Sequence, residues 1–270
     1  YETATPAEWN RRWLFVAGGS GDAQHGEFVS EARSYLSKLT LPPTSIDSQI
    51  IEAKDHTQTD PSQVGNIEDA LRSGKGMMYF AGHGATWITD VVLPDPSELH
   101  NKGLYPLLVT LSCRTGAYAE YNAVTLNESY LRQPEAGVVQ AYGTAGFGDQ
   151  GYDYVLSDKY FQLLRSSSFD STADTTHASL ILPTVLLTAA KFFTSDAGYV
   201  PGFVSGNSRL QYCMLGDAAA GYALRPQPEF SVHAPDMSAV GADGRVRTFF
   251  NVSDSSFRLR AVIHNNGFTA

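Results

Sequence analysis

Met77-Met78-Tyr79-Phe80-Ala81-Gly82-His83-Gly84 decides the reading of this chain, and Leu107-Leu108-Val109-Thr110-Leu111-Ser112-Cys113 is its counterpart. Each is a short apolar run that stops at a chemically reactive side chain. Runs of this length without alternation are strands buried on both faces, as in a parallel sheet. Two parallel neighbours release the residues beyond their C-terminal ends at one rim, where open α/β sheets place ligands. The roughly 30 residues between His83 and Cys113 make one crossover unit, as such neighbours require. An imidazole and a thiol are therefore expected to meet.

Working outward, residues 13–17 form another buried run closed by Gly18, Gly19 and Gly21. Residues 27–39 carry Phe28, Ala32, Tyr35, Leu36 and Leu39 at helical spacing, and Pro42 and Pro43 end that helix. A strand at 48–52, a polar loop at 55–62 and a helix at 64–72 stopped by Gly74 lead into the histidine strand. After the cysteine strand come a strand at 137–142, a Gly-rich loop at 143–151, a helix at 154–165, a polar linker, a helix at 179–193 and a last strand at 210–215. This alternation predicts a mostly parallel sheet covered on both faces. Past Pro226 and Pro228, residues 230–232, 245–252 and 257–263 are short alternating runs with no helical period, the opening strands of an all-β module. The expected division is 1–225 and 226–270.

Composition narrows the partners. A net charge of −9 and the lack of any dense Lys/Arg run exclude a phosphate-tracking surface, so no nucleic-acid partner is expected. No apolar stretch has the length of a transmembrane segment, and no secretory signal pattern precedes the first strand, so Tyr1 reads as a processed end. The two cysteines, Cys113 and Cys213, have no metal or paired-thiol spacing. Few lysines and Ser/Thr/Asn/Gly-rich loops suggest an extracytoplasmic protein.

A thiol nucleophile needs a base within hydrogen-bond reach and donors for the oxyanion. His83 supplies the base. Its flanking glycines let a substrate approach the backbone and free the Gly84 amide, while the amide of Cys113 emerges unpaired at a strand end. Taken singly, a Cys after an apolar strand is commonly an inert core residue. Both residues at successive strand ends favour chemistry.

The run 79–84, Trp87 shortly after it, and Leu111-Ser112-Cys113 resemble the catalytic strand ends of the gingipain-like cysteine peptidases. The order of landmarks is similar too, from a Trp-led first strand to Gly216-Asp217 and a β tail. The resemblance implies a caspase-like three-layer α/β domain followed by the start of an immunoglobulin-like module. It implies a dyad, with His83 as base and Cys113 as nucleophile, an oxyanion hole from the Gly84 and Cys113 amides, and a thioester acyl-enzyme on a polypeptide substrate. An acid that orients the histidine is also implied: Glu27 is the nearest match and Asp22 the second, although Glu27 equally suits the N-terminus of its own helix. Thr144, Phe147 and Asp149 would flank the specificity pocket, with Phe147 as a wall and Asp149 either a floor charge for Arg or Lys or a solvated loop residue. Arg114 departs from the gingipain pattern; it would bind a carboxylate or support the thiolate. No cofactor is required, but calcium is implied as a structural ion, with Asp22, Asp149 and Asp153 as candidate ligands that lack a calcium-loop spacing.

The resemblance further implies a secreted or surface-attached bacterial protein, with further domains of a larger surface protein as partners. Sortase-type transpeptidation in the type IX secretion system is a second reading, and a catalytically silent scaffold is a third. A serine hydrolase is excluded by the lack of a Gly-x-Ser-x-Gly elbow.

Overall fold

Alternation along the central strands sorts the core into two layers. The structure is a computed structural model that describes residues 8–40, 46–167, 183–196 and 211–221, and tail strands within 230–265. Strands β1 (Arg12–Ala17), β2 (Asp47–Glu52), β3 (Met77–Ala81), β4 (Leu107–Leu111), β5 (Gln140–Thr144) and β6 (Tyr212–Gly216) form one sheet in the order β2-β1-β3-β4-β5-β6. Pairings among the first five are parallel, and β6 runs antiparallel to β5. Trp13, Phe15, Met77, Tyr79, Leu107 and Val109 face one layer, containing helices α1 (Gly21–Leu39), α4 (Gln150–Ser167) and α5 (Pro183–Asp196). Leu14, Val16, Met78, Phe80 and Leu108 face the other, with α2 (Val64–Arg72) and α3 (Leu126–Leu131). The expected three-layer α/β architecture with a mostly parallel sheet is thus present.

Helix α2 and strand β3 have the bounds the sequence predicts. Helix α1 starts six residues before the predicted Glu27, at Gly21. Gly21 reads as a loop residue, yet its position and that of Gly26 face open space, and burial of His25 and Phe28 on the inner face outweighs the low helix propensity of both glycines. Strand β5 starts three residues later than predicted and ends two later, because Gly143 and Thr144 belong to it. A Cβ on Gly143 would lie 2.5 Å from the Asn127 amide nitrogen, so the glycine admits close packing rather than ending the strand.

The sequence reading missed α3. Its signal was present: Thr125 and Glu128 form a capping box, each side chain bonded to the other's backbone amide. In the tail, β7 (Phe230–Ser231), β8 (Met237–Gly241), β9 (Val246–Arg247), β10 (Phe257–Ala261) and β11 (His264–Asn265) pair only antiparallel, in a three-stranded and a two-stranded sheet. The predicted linker 166–175 yields its first two residues to α4; the rest of it, the start of the predicted helix at 179 and most of the predicted run 245–252 lie outside the described residues.

Candidate active site

Register places the two reactive residues. In the β3–β4 pairing Ala81 stands opposite Leu111. His83 and Cys113 each lie two residues beyond that pair, so the chain leaves both strands in step, from strands about 4.8 Å apart. Continuing the alternation puts both side chains on the α1/α4 side of the sheet. The contacts agree. His83 Nε2 lies 2.7 Å from Gln24 Oε1 on α1, and the Cys113 amide is 3.7 Å from where a Cβ on Gly148, just ahead of α4, would stand. His83 is exposed and Cys113 is partly exposed, so neither is sealed in the core. Among the described residues no hydrogen bond joins imidazole and thiol directly.

Gln24 fixes the tautomer of His83. Its Oε1 also accepts from the Ser20 amide at 2.8 Å, and a backbone N–H can only donate. The oxygen therefore faces both partners, His83 Nε2 carries the proton, and Nδ1 of the neutral ring is the basic nitrogen.

The histidine loop is held by a residue the sequence reading missed. Asp90 Oδ2 accepts from the Gly19 amide at 2.7 Å and the His83 amide at 3.0 Å, and Oδ1 accepts from its neighbour Val91 at 2.9 Å. A Cβ on Gly82 would lie 2.5 Å from that carboxylate, so glycine is required for the cradle to close. Residues 83–90 double back as a small hairpin through Asp90 N–H to His83 O and Ala85 N–H to Ile88 O. Between these bonds neither the Gly84 amide nor the Cys113 amide has a hydrogen-bond partner among the described residues. A Cβ on Gly84 would lie 2.5 Å from the buried Ser112 Oγ, so only glycine brings the two loops together this closely.

The backbone turns sharply after the cysteine. Arg114 has φ 60°, a left-handed conformation rare outside glycine. It is held there by its amide, which donates to Gly146 O at 2.7 Å, and by Gly116 N–H to Thr144 O at 2.9 Å. Thr144 Oγ1 donates to Ser112 O. Thr144 is fully buried under the cysteine turn and supports it rather than lining a pocket. Arg114 pairs with Glu120 and holds that carboxyl below its ordinary range. A cleft of about 310 Å³ opens beside these residues, with Arg114, Glu120 and Phe147 among its lining.

The other predicted site residues have different partners. Glu27 accepts from Gln150 at 3.1 Å and Asp22 pairs with His56 at 3.2 Å, so neither contacts His83. One helical turn carries Glu27 away from the rim, and Gln24 occupies the position expected of the orienting acid. Asp149 caps α4, its Oδ1 accepting from the Tyr152 amide at 2.9 Å, and it is not among the residues that line this cleft. Asp153 is buried against the Tyr212 hydroxyl, and burial pushes its carboxyl up to about 7. Asp22, Asp149 and Asp153 thus do not assemble a calcium ligand set, and among the described residues no group of three His, Cys, Asp or Glu side chains is placed to hold a metal. Nor is any described helix long and apolar enough to cross a membrane.

Comparison with known proteins fits this geometry. The model of peptidase family C25 matches residues 1–222. The Arg-specific cysteine proteinase gingipain R superposes with a TM-score of 0.63 at 16% identity, over 98% of this chain and 63% of that one. The complex of the pro- and mature domains of Porphyromonas gingivalis RgpB gives 0.58 at 16% identity, over 98% and 64%. The chain thus spans less than two thirds of these relatives, and at such identity the likeness establishes the fold. Comparison with curated proteins gives no match.

Proposed function

The chain belongs to peptidase family C25, and from that premise we propose that it is a cysteine peptidase that cleaves polypeptides with Cys113 as nucleophile and His83 as acid and base. One observation carries the reading: His83 and Cys113 leave adjacent parallel strands in register, and the amides of Gly84 and Cys113 have no hydrogen-bond partner among the described residues.

In the proposed cycle, Cys113 Sγ gives its proton to His83 Nδ1 while Nε2–H stays on Gln24. The thiolate attacks the scissile carbonyl carbon, and the electron pair of the carbonyl π bond moves to oxygen, where the Gly84 and Cys113 amides donate. Collapse breaks the C–N bond, the imidazolium proton goes to the departing nitrogen, and a thioester remains. Water then attacks the thioester with His83 taking its proton, and the acid leaves with Cys113 restored. The lack of a resting hydrogen bond between ring and thiol suits a histidine whose main task is delivering a proton to the leaving amine. Each proton in this scheme moves among Cys113, His83, substrate and water. We place the activity outside the cytoplasm, in a secreted or surface-attached bacterial protein.

A thiol-reactive peptide probe tests the proposal. Labelling is expected at Cys113 alone and is expected to be lost in His83→Ala. Cys113→Ser should fold and be inactive; turnover above about a thousandth of wild type would overturn the nucleophilic role. Failure of the wild type to label would favour a silent scaffold. Added amines appearing in the products would favour transpeptidation over hydrolysis.

A further inference from the structure

The geometry points to a substrate whose side chain immediately before the cleaved bond is uncharged and apolar, in a segment rich in apolar residues; this deepens the cysteine-peptidase reading and rests on it. The cleft beside the nucleophile lies between the loop after β4 and the loop after β5, where a side chain next to the attacked carbonyl would lodge. Its walls include Ala117, Ala119, Ala145 and Phe147, and among the described residues its only charges are Arg114 and Glu120. Those two satisfy each other. The second carboxylate oxygen of Glu120 also accepts from Thr86 Oγ1 at 3.2 Å.

A substrate guanidinium needs a carboxylate with free, forked acceptor positions. Neither neighbouring aspartate lines the cleft: Asp149 gives one oxygen to the Tyr152 amide ahead of α4, and Asp153 is buried with Tyr212. A substrate carboxylate, in turn, meets an arginine already paired. What stays available is carbon: three alanine methyl groups and a Phe147 ring that is 75% exposed. The Arg specificity of gingipain R is therefore not carried over to this chain.

A second observation reaches beyond the cleft. Ten large apolar side chains are exposed among the described residues, and six of them, Trp87, Ile88, Tyr118, Tyr121, Val124 and Phe147, stand on the three loops that surround Cys113. The loop after Cys113 is tied to the histidine loop by Leu126 N–H to Thr86 O at 2.7 Å, so these side chains border one site. An extended apolar segment would cover them, and aromatic side chains are effective anchors for such contacts.

The test uses three tripeptidyl chloromethyl ketones that end in Leu, Arg or Glu, with alkylation of Cys113 followed by peptide mass analysis and iodoacetamide as a measure of intrinsic thiol reactivity. The Leu probe should react at least about tenfold faster than the other two, within the range an apolar pocket discriminates. Ala119→Trp, at an exposed position, should remove that advantage while the iodoacetamide rate stays within about twofold, because it fills the cleft without touching the dyad. Arg114→Gln should raise the Arg probe several-fold by leaving Glu120 unpaired. An Arg or Glu probe that matches the Leu probe on the wild type overturns the specificity. Silence of all three with normal iodoacetamide reactivity overturns the peptidase reading beneath it.

Discussion

Removing the Asp90 carboxylate should loosen the histidine loop before anything else in the domain. Asp90→Ala deletes an acceptor serving the amides of Gly19, His83 and Val91. Hydrogen bonds to charged groups contribute about 1.5–3 kcal/mol each, but these amides are partly accessible to water, so a total loss of about 3 kcal/mol is expected. For a chain of this size that corresponds to a fall in Tm of about 6–12 °C, measurable by calorimetry. Asp90→Asn separates stability from positioning. With its oxygen where Oδ2 stands it keeps Gly19 and His83 and turns its NH₂ toward the Val91 amide, donor against donor, at a cost of about 1–2 kcal/mol. Labelling of Cys113 by a peptide probe should therefore fall about tenfold or more in Asp90→Ala, since small misplacements of catalytic groups are costly, and less than about threefold in Asp90→Asn. If Asp90→Ala melts like the wild type and labels at the wild-type rate, Asp90 does not hold the loop and the positioning argument is wrong.

Gln24→Leu should slow acylation by about tenfold, a fraction of what general acid–base catalysis supplies, and Gln24→Glu should restore most of it and shift the pH profile upward by stabilising the imidazolium. Asp153, held near 7 by burial, binds its proton more tightly folded than unfolded. Its contribution to stability is therefore lost as pH rises from about 4 to about 7, and thermal melts at pH 5 and pH 8 should show a smaller drop in Asp153→Asn than in the wild type. Cys213 is partly buried, its Sγ donates to Gly116 O at 3.2 Å, and burial pushes its thiol up. Cys213→Ala should leave peptide-probe labelling within about twofold of wild type, whereas a large loss would mean the second thiol takes part.

The parts legible in the sequence were those that depend on local pattern. Residues 77–81 and 107–111 read as strands because every position but Thr110 is apolar, and their parallel adjacency follows from a spacing of one crossover. The parts that were not legible depend on main-chain geometry. Asp90 works through backbone amides of residues 19 and 83, which no residue type advertises. Gln24 is absent from the predicted site because the resemblance implies an acid, and because Gly18, Gly19 and Gly21 read as a loop ahead of a helix that starts at Glu27. Asp149 carried the right charge for a specificity pocket, but its place directly before a helix is also the place of a cap, and the cap is what it forms. Thr125-Leu126-Asn127-Glu128 is the clearest omission, since its spacing alone announces α3.

Main-chain bonds weld the cleft from pieces far apart in the chain. Arg114 donates to Gly146, Gly116 to Thr144 and Ala145 to Gln211 at 2.6 Å, so segments from three separate crossings of the sheet move as one. Transplanting any single loop from a relative would tear this seam. Altered selectivity is therefore more accessible by changing side chains that project from the frame, such as Ala119 and Phe147, than by exchanging the frame.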